Sequence, residues 1–104
     1  MIRIAVIGLG QIGGSLVLAI RAAAIEAHII GIDPSLRRRK LLRQHLNESS
    51  TRWASADHAD LIFVCLHFKL LEKFLKTTTT SALIVDVCSS KNRLCGLQMS
   101  ETYG

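Results

Sequence analysis

The stretch Met1-Ile-Arg-Ile-Ala-Val-Ile-Gly8-Leu-Gly10-Gln-Ile-Gly13-Gly-Ser15 decides the fold, because an apolar run breaks directly into glycines spaced Gly-x-Gly-x-x-Gly. Ile2 to Ile7 reads as a buried parallel strand, apolar throughout because both of its faces are to be covered. Ile12, Leu16, Ala19, Ile20 and Ala23 then recur at helical spacing, so the glycines join a strand to a helix. In that setting each glycine has a distinct task. Gly8 permits the tight turn, Gly10 lets backbone N–H groups approach a pyrophosphate, and Gly13 lets the helix pack closely on the strand. The diphosphate then sits at the positive end of the helix.

A second apolar run, His28-Ile-Ile-Gly-Ile-Asp33, ends in a carboxylate 20 residues beyond Gly13. That is where the dinucleotide-binding fingerprint expects a carboxylate to accept hydrogen bonds from the adenosine ribose. The candidate cofactor contacts around the turn are therefore Gly8, Gly10, Gln11, Ile12, Gly13 and Asp33. The same spacing without a nucleotide is an ordinary glycine turn of an α/β domain. Directly after Asp33 comes a basic run, Arg37-Arg-Arg-Lys40 with Arg43. It supplies much of the net charge of +5 and admits three readings: a nucleic-acid patch, the solvated side of a helix, or a seat for the 2′-phosphate of NADP. The helix reading explains most, with Pro34-Ser35 at its start and Leu36, Leu41, Leu42 and Leu46 as a buried stripe. Asp33 would repel a 2′-phosphate, so NAD is expected in preference to NADP, and nucleic acid is not expected as a partner.

The 104 residues make one domain, and 49% hydrophobic content fits a well-buried α/β sheet. The longest helical apolar stretch, Leu16 to Ile25, is interrupted by Arg21 and is too short to span a bilayer. The N-terminus reads as a strand and not as a signal peptide, which leads to the expectation of a cytoplasmic protein without a membrane partner. Cys65, Cys88 and Cys95 form no paired framework and fit a reducing compartment. No His and Cys cluster has metal-ligand spacing, so no metal is expected.

Strand and helix alternate through the rest of the chain. Asn47 to Ser50 reads as a polar loop and Thr51-Arg-Trp-Ala54 as a short third strand. Leu61 to Leu66 is a central strand, and Phe68 to Lys76 a helix with Leu70, Leu71, Phe74 and Leu75 inward. Thr77 to Ser81 connects it to a fifth strand, Ala82 to Val87, and Lys91 to Met99 begins another helix. The expected architecture is a Rossmann-type, doubly wound α/β fold: five parallel strands in the order 3-2-1-4-5, with helices on both faces.

Ligands of such sheets lie beyond the carboxyl ends of the strands, which directs attention to Leu66-His67 after the fourth strand and to Cys88-Ser-Ser-Lys91 after the fifth. Leu66 and His67 are candidate cofactor contacts, His67 being also readable as a plain helix-start residue. Ser89 is a candidate supporting catalytic residue, with Lys91 and Asp86 nearby, or equally a helix cap.

The segments Gly8-Leu-Gly-Gln-Ile-Gly-Gly-Ser-Leu16, Gly31-Ile-Asp33, Ala59-Asp-Leu-Ile-Phe-Val-Cys-Leu66 and Val85-Asp-Val-Cys-Ser-Ser-Lys91 together resemble the N-terminal domain of prephenate and arogenate dehydrogenases. The resemblance covers nearly the whole chain, and its most specific parts are the doubled glycine before Ser15-Leu16 and the Asp-x-x-Ser-x-Lys turn. It implies oxidative decarboxylation of prephenate to 4-hydroxyphenylpyruvate with NAD as hydride acceptor, a step of tyrosine biosynthesis. It also implies that Ser89 helps orient a catalytic histidine and the substrate. Two residues depart from the pattern: His67 stands where the family usually has proline, and Cys88 where it usually has glycine.

The chain reaches Gly104 before any counterpart of the family's catalytic His-Pro motif or helical second domain, so it is expected to be a fragment, a natural truncation or a split gene product: a cofactor-binding part, inactive alone. Self-association through an uncovered edge of the fifth strand is expected with it. Two other classes stay open. One is another small-substrate reductase, such as a 3-hydroxyacid dehydrogenase or pyrroline-carboxylate reductase, which the Asp86 to Lys91 turn disfavours. The other is a non-enzymatic nucleotide-sensing module.

Overall fold

Strands buried on both faces need apolar side chains at every position, and three such segments form the middle of the sheet. In the computed structural model, which describes residues 1–87, β1 (Ile2–Ile7) lies between β2 (Ala27–Ile32) and β4 (Leu61–Val64). β3 (Glu48–Ser50) flanks β2 and β5 (Leu83–Asp86) flanks β4, giving the expected order β3-β2-β1-β4-β5 with every pair parallel. Ile7 is opposite Ile32 on one side and Val64 on the other, so the three central strands finish level. The strand order reverses between β1 and β4, where sheets of this kind open a crevice for ligands.

Alternate strand residues feed two cores. On one face Ile4, Val6 and Ile29 meet Val17 and Ile20 of α1 (Gln11–Ala22), together with Leu9 and Leu42. On the other, Ile7, Ile30, Ile62 and Val64 meet Leu71 and Phe74 of α3 (Phe68–Thr77). Helices thus cover both faces, as expected. The Phe74 ring meets Trp53 edge-on, with centroids 5.7 Å apart. Burial of a side chain of this size contributes about 1.5–3 kcal/mol. Leu70 was expected inward but is exposed, because α3 turns Leu71 and Phe74 to the sheet, with Phe68 and Leu75 partly buried beside them.

Two further expectations are corrected. The third strand is Glu48–Ser50, read from sequence as loop, while the Thr51 to Ala54 stretch leads into a short 3-10 turn at Trp53–Ala56. An edge strand needs few rungs and tolerates polar residues: Asn47 N–H donates to Ile29 O and Asp33 N–H to Ser50 O, extending the three paired positions at both ends. Trp53 follows its ring, not its strand propensity, by packing against the core containing Phe74. The second correction concerns α2 (Leu36–Leu41). The helix starts where expected, with the Ser35 hydroxyl accepting from Arg38 N–H at 3.3 Å, but it lasts only six residues before a 3-10 turn at Arg43–His45. Leu42 is buried and Leu46 half-buried, whereas Leu36 and Leu41 are exposed. A helix this short cannot hold one apolar stripe from Leu36 to Leu46.

At the amino ends of the strands, side chains tie the layers together. Arg21, in the last turn of α1, donates to Ala27 O, His45 O and Asn47 Oδ1 at 2.7–2.9 Å. Asn47 Oδ1 also accepts from Ile29 N–H. Just beyond the helix Ala24 adopts φ 57°, the left-handed position that helix ends usually give to glycine.

Candidate functional site

The glycine turn is fixed by sterics. Gly8 has φ +92°, and a Cβ there would lie 2.5 Å from Cys65 O. A Cβ on Gly13 would lie 1.8 Å from Gly8 O, so the helix can approach the strand only without a side chain. Gly8 N–H donates to Ile32 O at 2.7 Å and Cys65 N–H to Ile7 O at 2.8 Å, which binds the turn to the ends of β2 and β4. Gly10 caps α1 with no side-chain hydrogen bond, and the first turn of that helix carries no acidic residue. The leading N–H groups of a helix have no intrahelical acceptors, so this end is electropositive.

Gly10 differs from its two partners. The group nearest a Cβ at Gly10 is the Arg38 guanidinium, at 3.6–3.9 Å, so space lies open over the turn up to that side chain. A cleft of about 660 Å³ occupies this side, bounded by Gly10, Gln11 and Ser15 of the α1 end and by Ser35, Arg37 and Arg38 around α2. Ile12 is exposed beside it on the first turn of α1.

Asp33 is buried at 2% exposure at the end of β2. One carboxylate oxygen accepts from Leu9 N–H at 2.7 Å and the other from Ser35 N–H at 2.8 Å. Arg38 Nη1 lies 3.5 Å from the first of these oxygens, and Arg39 Nε donates to Asp33 O at 2.9 Å. The carboxylate therefore fastens the glycine turn to the start of α2, and with Arg38 Nη1 as its third donor it keeps one acceptor site that a ribose hydroxyl can use. Leu9 N–H and Arg38 are partners that sequence reasoning missed. A backbone donor leaves no residue-type signal, and the aim of Arg38 depends on where α2 begins.

Leu66 and His67 follow β4 beside the turn: a Cβ on Gly8 would stand 3.4 Å from a Leu66 methyl. His67 is the N-terminal cap residue of α3, exposed, with no capping bond from its ring. The structure thus brings Gly8, Gly10, Gln11, Ile12, Gly13, Asp33 and Leu66 around one turn, with His67 adjacent. Ser89, Cys88 and Lys91, and the helix expected over Lys91 to Met99, lie outside the described residues. Among the described residues no three His, Cys, Asp or Glu side chains group to hold a metal ion, and no helix is long and apolar enough to cross a membrane.

At the opposite end of the sheet Glu48 has a displaced titration. Glu48 is held below the usual glutamate value of 4.5, chiefly by its hydrogen bond with His28 and further by the charges of His28 and Arg3. Arg3 reaches Glu48 at 3.2 Å.

A parallel sheet whose central strands end at a closed glycine turn, a bare helix start and a buried aspartate defines a Rossmann-type NAD(P)-binding domain. Residues 3–90 match the model of the family described as NADP oxidoreductase, coenzyme F420-dependent, and the chain belongs to that family. Among curated proteins no relative matches. Similar solved structures include prephenate dehydrogenase from A. aeolicus in complex with hydroxyphenyl propionate and NAD+, with 18% identity over 86% of this chain and 34% of that one, TM-score 0.72. Synechocystis arogenate dehydrogenase shares 28% identity over 85% of this chain and 33% of its own, TM-score 0.66. Mycobacterium tuberculosis 3-hydroxyisobutyrate dehydrogenase with L-serine shares 20% identity over 86% and 32%, TM-score 0.69. The chain spans about a third of the length of each of these proteins.

Proposed function

We propose that this chain is the cofactor-holding part of a prephenate dehydrogenase-like oxidoreductase, the reaction being oxidative decarboxylation of prephenate to 4-hydroxyphenylpyruvate. The observation that carries the cofactor reading is the pairing of a turn no side chain can enter, at Gly8 and Gly13, with an open Gly10 at the start of α1. That shape admits a diphosphate to the helix N–H groups. Gly10, Gln11 and Ile12 would hold the diphosphate, Asp33 would accept from the ribose, and Leu66 and His67 would border the cofactor beyond β4. Bound NAD(P) supplies the hydride acceptor, and Asp33 keeps the turn shaped for it through Leu9 N–H.

The substrate reading is supported by the Asp86 to Lys91 motif and by the 28% identity with the Synechocystis arogenate dehydrogenase. Ser89 would help to orient a catalytic histidine and the substrate. The 3-hydroxyisobutyrate dehydrogenase shares the fold at 20% identity and marks the competing substrate class. Two assays test these readings. Fluorescence titration with reduced dinucleotide should show saturable binding, and its absence contradicts the cofactor reading. The 104-residue chain should bind without oxidising prephenate, and turnover of 3-hydroxyisobutyrate contradicts the substrate reading.

A further inference from the structure

The stop of α2 after six residues leaves Leu36 and Leu41 55% and 69% exposed, and Leu18 of α1, 46% exposed, joins Leu41 along the cleft of about 660 Å³. Two further hollows lie along α2: one of about 400 Å³ bounded by Leu36, Arg37, Lys40 and Leu41, and one of about 440 Å³ bounded by Lys40, Leu41, Arg43 and Gln44. Leu41 borders all three, so the hollows run on from one another around a single leucine. Arg37, Lys40 and Arg43 rim them, and no carboxylate lines any of the three. The net charge gathers here as well. Without Arg37, Arg38, Arg39, Lys40 and Arg43 the chain carries eight basic and eight acidic residues. An exposed apolar patch inside a polar rim marks an interaction face. We propose that the exposed face of α2 docks an acidic amphipathic helix of a partner protein, which seats apolar side chains beside Leu36 and Leu41 and sets carboxylates against Arg37, Lys40 and Arg43.

Charge and shape together select this occupant. Cations around leucines call for apolar side chains flanked by carboxylates, and successive hollows suit the i, i+3, i+4 and i+7 anchors of a helix laid in a groove. A second copy docked symmetrically through this face would set cations against cations. The chain's own residues 88–104 carry two basic residues and one acidic, so their charge does not match the rim. Nucleic acid would meet the cations but leave the leucines in water: single strands stack on aromatic rings, and none lines these hollows. An anionic bilayer would draw the cations, yet it has no side chains to fill the hollows. Leu36, Lys40 and Arg43 do not line the dinucleotide cleft, so the docking face extends beyond it and stands apart from the cofactor reading.

The test is fluorescence anisotropy of the full chain against a labelled synthetic helix with leucines at i, i+3, i+4 and i+7 and glutamates beside them, at low and at physiological salt. Two control peptides carry lysine in place of the glutamates or serine in place of the leucines. The acidic peptide should bind saturably and at least about tenfold more tightly than either control. Leu41→Ser and Lys40→Glu should each weaken it about fivefold or more, the loss from Lys40→Glu being larger at low salt. Both side chains are exposed, and far-UV circular dichroism checks each fold. If one variant fails to fold, the other variant and the control peptides decide. Absence of binding, or equal binding of the serine control, overturns the inference. Displacement of the peptide by NAD+ places it in the cleft and overturns the inference while leaving the cofactor reading intact. Leu41-dependent binding to phosphatidylglycerol vesicles or to poly(U) in place of the peptide overturns it too, as does a concentration-dependent dimer that Leu41→Ser abolishes.

Discussion

The two ends of β2 use charge in opposite ways. At the amino end charged or ionisable side chains are engaged with protein: Arg3 and His28 with Glu48, Arg21 with two carbonyls and Asn47, Asp60 with Arg3 N–H. At the carboxyl end the aspartate is engaged in the same manner, but Arg37 and Arg38 face a cleft. Chain-fastening and ligand-facing charges are thus separated along one strand. Ligands of open parallel sheets bind in the crevice outside the carboxyl ends, where the strand order reverses, and that is the end with the cleft-facing arginines.

Substitutions at the two ends should therefore part company, and the largest effect should come from the turn. Gly13→Ala must displace Gly8 O from a 1.8 Å overlap, so a loss of about 3 kcal/mol or more is expected in urea unfolding, together with loss of dinucleotide binding. Survival of both would mean that α1 can shift without cost. Arg21→Ala should come next. It removes three hydrogen bonds at the amino end and should cost about 1.5–3 kcal/mol, while the ratio of NADP to NAD affinities stays unchanged. A changed ratio would show that the two ends are coupled. Ala24→Gly relieves a left-handed alanine and should stabilise by about 0.5–1 kcal/mol, read as a rise in Tm.

The smallest effect is confined to acid. Because Glu48 titrates below its usual value in the folded chain, its contribution is present above 4.5 and is lost as pH falls through the lowered value. Glu48→Gln should flatten the stability profile in that acid window and leave it unaltered near neutrality. An equal loss at both pH values would assign Glu48 a packing role instead.

The glycine turn was legible because its cause is steric: Gly8 and Gly13 are demanded by backbone atoms whose positions follow from any strand-turn-helix of that length. The strands at Ile2, His28, Leu61 and Ala82 were legible as apolar runs, to within a residue or two at their ends. β3 was not, since Glu48, Ser49 and Ser50 are polar, three in number and held by pairing with β2 rather than by burial. The exposure of Leu36 and Leu41 was hidden for a related reason, the stop of α2 after six residues. The aim of Arg38 was equally invisible. Sequence places a basic run after Asp33, but only the Ser35 cap and the Asp33 bond to Ser35 N–H set which arginine leans over Gly10.

The central claim is that a dinucleotide occupies the turn between β1 and α1 and reaches across to α2. Backbone amide shifts followed by NMR during an NADP+ titration test it most directly. The account predicts saturable shifts concentrated at Gly10, Gln11, Ile12 and Gly13, with Ser35 and Arg38 moving alongside them, and little change at His28, Asn47 or Glu48. Shifts centred on the amino ends of the strands, or none at Gly10 to Gly13, would contradict it.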